Sequence, residues 1–210
     1  MKRAIYSLFL LLLFPFTYAQ TISEIFVNIP EQQLPLLEKE WRLDLVDLYQ
    51  SDKEARLQNM LGGFSVLEKL TDDYLLLRIT ERSRLEMKTF TLVNNTHVLC
   101  VVKTVEGPVP DSRIQFYNTN WEPLNREDLL NPIALTAFFK EDIDTESDDY
   151  RFALSRLDME MIHYRLSPDA ATVSVAFTTP AYLSLEERNR ILPLLKEEPL
   201  LFTWANYRFN

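Results

Sequence analysis

Asp142, Asp144, Glu146 and Asp148 alternate along one short stretch, the spacing in this chain closest to a metal-ligand pattern. Carboxylates two residues apart resemble the start of a calcium loop. That loop also needs Gly at its sixth position and Glu at its twelfth. Ser147 and Ala153 stand there instead. The stretch reads as a solvated acidic linker, with an irregular, weak calcium site as the alternative and no other metal implied. A second chemistry is stacking against sugars or other flat ligands. Trp204 and Tyr207, together with Trp121 and Tyr117, supply the rings for such a platform if they are exposed. Inward packing is the competing reading for each of them.

Catalytic patterns are scarce. The two histidines, His97 and His163, cannot provide three imidazoles for zinc, and no H-E-x-x-H occurs. The chain has three glycines, Gly62, Gly63 and Gly107. They are wrongly spaced for a G-x-G-x-x-G dinucleotide turn and for a phosphate loop. Gly63-Phe64-Ser65-Val66-Leu67 does not match the nucleophile elbow G-x-S-x-G. Cys100 is the lone cysteine, so no intrachain disulfide can form. Its apolar neighbours mark it as a small buried hydrophobe rather than a nucleophile. Carboxylate pairs for glycoside hydrolysis come from different elements, so spacing alone cannot reveal them. No catalytic residue is assigned and no cofactor is implied.

The elements that must position these residues are legible between residues 73 and 121. Residues 74–80 form a short apolar run closed by Glu81-Arg82-Ser83-Arg84, which predicts a strand. Residues 85–93 follow, with Leu85 and Met87 on one face and Glu86 and Lys88 opposite. The apolar phase then moves to Phe90 and Leu92, which predicts a bulge near 88–90. Asn94-Asn95-Thr96 suits a hairpin turn. Residues 98–105 are apolar on both faces, as in a central strand covered on both sides. Gly107 to Ser112 must turn, and 113–117 alternate again. Short turns between sequential strands make an antiparallel meander.

Residues 34–49 carry Leu34, Leu37, Trp41, Leu45 and Leu48 on one helical stripe, with Arg42 on the polar side. Thr21 to Ile29 starts a short helix capped by Ser23, or an extended lead-in. Residues 126–139 have helical spacing interrupted at Pro132. Beyond the acidic linker the order is strand, strand, helix, strand. The strands are placed near 162–166, 172–178 and 200–209. Ser184 and Glu187 form a capping box for a helix over 183–196.

Length and charge set the frame. Lys2-Arg3, an apolar run over 5–16 and small residues at Thr17 and Ala19 describe a secretory signal peptide, residues 1–19. Removing Lys2 and Arg3 leaves 20 of the 22 basic residues against 31 acidic, a net charge of −11. Such a chain repels nucleic acid and anionic membranes. No second apolar run spans a membrane after cleavage. Residues 20–210 suit a single α+β domain. Its halves would be 20–139 and 150–210, across the acidic linker 140–149. The meander packs on the long helix, and the second half extends or duplicates that layer, or stacks as a second small sheet.

The order of several short pieces adds a resemblance. Ile29-Pro30, Leu34-Pro35-Leu36-Leu37, Arg42 through Asp47, Leu61-Gly62-Gly63, Leu70 through Tyr74, and Gly107-Pro108 through Asp111-Ser112 are together similar to the DUF3256 family. It is an uncharacterised group of secreted Bacteroidales proteins. The resemblance covers most of the chain. It implies export to the periplasm or surface of a Gram-negative cell, and it carries no catalytic residues. The expectation is an exported envelope protein that binds another protein or an assembly without catalysis. A glycan- or small-ligand-binding module using exposed aromatics is the alternative, and a carboxylate-based hydrolase is a third.

Overall fold

The computed structural model describes residues 20–93 and 96–210. The predicted signal peptide over residues 1–19 and the predicted turn at Asn94-Asn95 lie outside the described residues. The meander forms as its alternation requires: β3 (Tyr74–Thr80), β4 (Ser83–Thr91), β5 (His97–Glu106) and β6 (Pro110–Asn118). β1 (Arg56–Gln58) and β2 (Phe64–Leu70) precede them and β7 (Pro123–Leu124) follows, giving a sheet in the order β1-β2-β3-β4-β5-β6-β7. All pairs are antiparallel. Pro110 opens β6 opposite Glu106, a strand-end position where proline is tolerated.

The bulge expected at 88–90 is absent. β4 pairs with β5 without a break from Ser83↔Val105 to Thr91↔His97. Register shifts fall instead at Leu67/Lys69 and Arg78/Thr80. The apparent phase change has another cause: β4 is covered on both faces. Leu85 and Met87 enter one core and Phe90 enters another.

The first face is covered by α1 (Ile22–Val27) and α2 (Lys39–Gln50). Ile22, Ile25, Phe26, Leu34, Leu37 and Leu45 pack there on Leu75, Leu77, Leu85, Met87, Leu99 and Val101. Thr21, not Ser23, caps α1, in a capping box with Glu24. The long helix begins at Lys39 rather than Leu34. Residues 30–37 instead form successive tight turns, with Gln33 N–H donating to Pro30 O at 2.8 Å and Leu37 N–H to Leu34 O at 3.3 Å. Pro35 disfavours helical backbone at Leu34, yet Leu34 and Leu37 stay buried. Arg42, expected on the polar side, is buried, and its Nε and one terminal nitrogen have no hydrogen-bond partner. Burial lowers its pKa, offset in part by Glu31 and then Glu40.

The opposite face is covered by a second antiparallel sheet in the order β11-β10-β9-β8. Its strands are β8 (Ile162–Leu166), β9 (Thr172–Phe177), β10 (Leu200–Ala205) and β11 (Arg208–Phe209). Tyr164, Leu166, Val173, Val175 and Phe209 pack there on Tyr74, Phe90, Cys100, Val102, Ile114 and Phe116. The second half therefore stacks on the meander instead of extending it. Cys100 is buried in this interface, and desolvation pushes its thiol pKa well up.

Two charged residues of β4 fasten the layers. Glu86 Oε2 accepts from Leu166 N–H at 2.8 Å and from Tyr74 Oη at 3.3 Å. Lys88 Nζ donates to Ser167 O at 3.0 Å and Pro168 O at 3.2 Å, and pairs with Asp73 at 3.0 Å. Both side chains are buried. Desolvation raises the Glu86 pKa, against the lowering pull of the Leu166 N–H.

Short helices fill the rim. α3 (Arg126–Leu129) stops before Pro132, and one turn of 3-10 helix follows at Leu135–Phe138. α4 (Asp148–Arg156) is capped by Ser147, so the acidic stretch ends inside a helix. α5 (Thr179–Tyr182) and α6 (Leu185–Ile191) lead to a 3-10 turn at Leu192–Leu194. The predicted Ser184–Glu187 capping box is formed, and Pro193 ends the α-helix early. Phe139, Ala153, Leu157, Ile191 and Leu195 make a third, small core.

Candidate functional site

A cavity of about 730 Å³ opens where the end of β9 meets α5, α6 and residues 195–199. Val175, Ala176 and Phe177 lie along it, and Phe138, Pro180, Leu192 and Leu195 add apolar surface. The Phe138 and Phe177 rings stack with centroids 5.0 Å apart. Its size falls within the usual range for small-ligand sites, roughly 300–1,000 Å³.

The walls are fixed by hydrogen bonds. Thr178 Oγ1 donates to Pro110 O at 2.7 Å, and Thr179 Oγ1 donates to Met159 O at 2.5 Å. Lys140 N–H donates to Leu194 O at 2.9 Å and Lys196 N–H to Phe138 O at 2.8 Å, closing a bridge between Phe139 and Leu195. α6 is held from behind by Arg156–Glu187 at 3.2 Å and Arg190–Asp149 at 2.7 Å. A cavity walled in this way exists before any ligand arrives. Its polar groups are Thr178, Asn189, Arg188, Lys140 and Lys196, with Glu197 and Glu198. The set can hold and orient a molecule.

The model for proteins of unknown function DUF3256 matches residues 16–209. The chain belongs to the DUF3256 family. Its fold is similar to a solved domain of an uncharacterized protein from Porphyromonas gingivalis W83, with a TM-score of 0.81 and 28% identity. The similarity covers 91% of this chain and 99% of that one. No curated protein matches. The family and the Bacteroidales relationship are thus those that the short motifs implied.

In this DUF3256 member the four candidate aromatics do not form one platform. Trp121 is 9% exposed, and its Nε1–H donates to Ile25 O at 3.0 Å. Tyr117 is buried beside it, with ring centroids 5.2 Å apart. Both serve the first core, because their rings close the gap between α1 and the sheet. Trp204 is half-buried against Phe90 and Phe209, at 4.7 and 5.2 Å. Only Tyr207 of the four is exposed, at 52%, in the β10–β11 turn.

The alternating carboxylates do not converge either. Asp144 Oδ1 accepts from Glu146 N–H at 2.9 Å, and Asp148 pairs with Arg151 at 3.6 Å. Among the described residues no group of three or more His, Cys, Asp or Glu side chains is placed to hold a metal. His97 opens β5 and His163 lies in β8, on different sheets. A second, polar groove of about 980 Å³ runs beside β6, with Asp111, Arg113, Arg126, Glu127 and Glu160 along it. Its groups are partly engaged: Asp111 accepts from Ile162 N–H at 3.1 Å and Arg126 donates to Tyr164 Oη at 2.9 Å.

The residues around the apolar cavity were not singled out by sequence. The capping box at Ser184 placed α6, and Pro180 and Pro193 bound the segment, but no periodicity marks an unfilled space.

Proposed function

We propose that this protein is an exported, non-catalytic binding module of the cell envelope, and that it takes a small ligand in the cavity between β9, α5 and α6. The cavity carries the reading: it is apolar, of ligand size, and walled by backbone tied to three different segments. Export is supported by Lys2-Arg3, the apolar run over 5–16 and the small residues Thr17 and Ala19. The first capped helix starts just past that site, at Ile22 with Thr21 as cap. Among the described residues no helix is long and apolar enough to cross a membrane.

The test is a thermal-shift screen of residues 20–210 against small apolar ligands, repeated on Ala181→Trp, which fills the cavity from an exposed position. A ligand at 100 times its Kd adds about 2.7 kcal/mol of stability. The expected result is a shift that Ala181→Trp removes. A flat screen, or a shift indifferent to that variant, would overturn the site. Export is tested by mass spectrometry of the full chain expressed in a Gram-negative host. A periplasmic product beginning at Gln20 is expected, and a cytoplasmic chain retaining residues 1–19 would refute it.

A protein-docking reading has its own observation. The β1–β2 hairpin turns at Gly62, whose φ of 79° lies in the left-handed region. It exposes Leu61 at 74%, beside exposed Met60 and Phe64. The Arg56 guanidinium sits 3.9 Å from the Phe64 ring centroid. Crosslinking from a photoreactive residue at position 61 in intact envelope tests it. One defined adduct supports docking there, and no adduct argues against it.

A further inference from the structure

α6 carries two arginines with different surroundings. Arg190 pairs with Asp149 at 2.7 Å and lies over the Phe152 ring at 4.1 Å, both on α4. Arg188 lines the cavity and has no ion pair among the described residues. Its Nε is shielded from solvent and has no hydrogen-bond acceptor. That Nε is closed off, so a ligand would meet the half-buried Arg188 through its terminal nitrogens, and the guanidinium makes no hydrogen bond among the described residues. The other cations there are committed or free in solvent: Lys140 Nζ donates to Pro193 O at 2.9 Å, and Lys196 is exposed.

We infer that the cavity binds a ligand with an apolar body and a single anionic head, a carboxylate, with Arg188 receiving the head. This rests on the cavity being a ligand site and names the ligand class. Three groups support the charge. Arg188 supplies a planar donor fork that matches a carboxylate. Phe138, Phe177, Pro180 and Leu192 offer only apolar contact to the body. Glu197 and Glu198 share the rim, so they repel heads bearing several negative charges and leave a singly charged head favoured.

The test compares three probes of one chain length by calorimetry on residues 20–210: decanoate, decanol and decyltrimethylammonium, all below micelle-forming concentrations. Decanoate should bind at least about tenfold more tightly than decanol, the difference expected for a hydrogen-bonded charge. Decyltrimethylammonium should bind most weakly. Arg188→Gln should reduce decanoate to the affinity of decanol and leave decanol unchanged. Arg188→Lys should recover part of the loss, and Arg82→Gln, in the exposed β3–β4 turn, should leave both affinities as they are. Thermal midpoints of the variants confirm folding. Equal binding of decanoate and decanol, or no effect of Arg188→Gln, overturns the carboxylate assignment while leaving the cavity a ligand site. Failure of all three probes to bind overturns the cavity as a site for apolar ligands, and the assignment with it.

Discussion

The seven-stranded meander and the four-stranded sheet stacked on it use the same antiparallel pairing, but they are held in different ways. The meander's middle strands run nine and ten residues, and its central residues are buried on both faces. The second sheet has three strands of five or six residues and a two-residue β11. Its inner face is packed, while Arg165, Leu201 and Thr203 face outward and are exposed. It is fastened partly by buried charge, through Glu86 and Lys88, rather than by apolar contact alone. The middle of a sheet buried on both faces has no apolar surface left for a ligand. The cavity accordingly lies at the edge of the second sheet, where short strands end and small helices close over them.

The largest expected effect tests the meander. Leu77 is fully buried against α1 and α2, so Leu77→Ala should cost about 2–5 kcal/mol in chemical denaturation. A loss below that range would mean the first core can collapse around the gap. Next is the fastening. Lys88→Met removes the donor to two carbonyls and should cost about 2–3 kcal/mol. Hydrogen exchange should then speed in β8 and β9 while β4 and β5 stay protected. Uniform acceleration would instead show that the two sheets open as one unit, and the contrast drawn above would fail.

A smaller loss is expected at the cavity wall. Ser184→Ala removes the N-cap of α6 and should cost about 1 kcal/mol, with faster exchange confined to residues 185–191. The smallest effect is pH-dependent. The Glu86 pKa is raised by burial, so its protonated form suits the fold better than its ionised form. That contribution is full below the ordinary glutamate pKa and is lost as pH rises through the higher folded value. Glu86→Gln mimics the protonated form. Its midpoint should gain on the wild type as pH climbs from the ordinary glutamate range toward neutrality. A constant gap across that window would show that Glu86 ionises in the fold as it does in the open chain.

Much of the meander was legible because alternation there reports burial directly. Tyr74–Thr80 is a strand with the limits that its apolar run and the following charges imply. Ser184 sits three residues before Glu187 and caps a helix as expected, whereas Thr21, with the same spacing to Glu24, caps α1 in place of the expected Ser23. Several misreadings share one cause, tertiary cover. Glu86 and Lys88 look like a solvent face until a second sheet lies over them. Arg42 looks polar by type and is buried by position. Trp121 and Tyr117 carry the composition of a sugar platform, but α1 lies over them. Arg188 has no local signal at all, because its place on the cavity wall is set by segments distant in sequence.

Phe209 has a consequence for how the chain acquires its shape. Its ring sits between Phe90, Phe116 and Trp204, and the backbone of residue 209 bridges to Leu130. β4 therefore cannot complete its second face until β11 has left the ribosome. Contacts this distant along the chain form slowly. The junction between the layers thus depends on contacts between β4 and a strand more than a hundred residues later. Layers that close only with residue 209 in place leave the chain open longer, which suits the exported destination proposed for it.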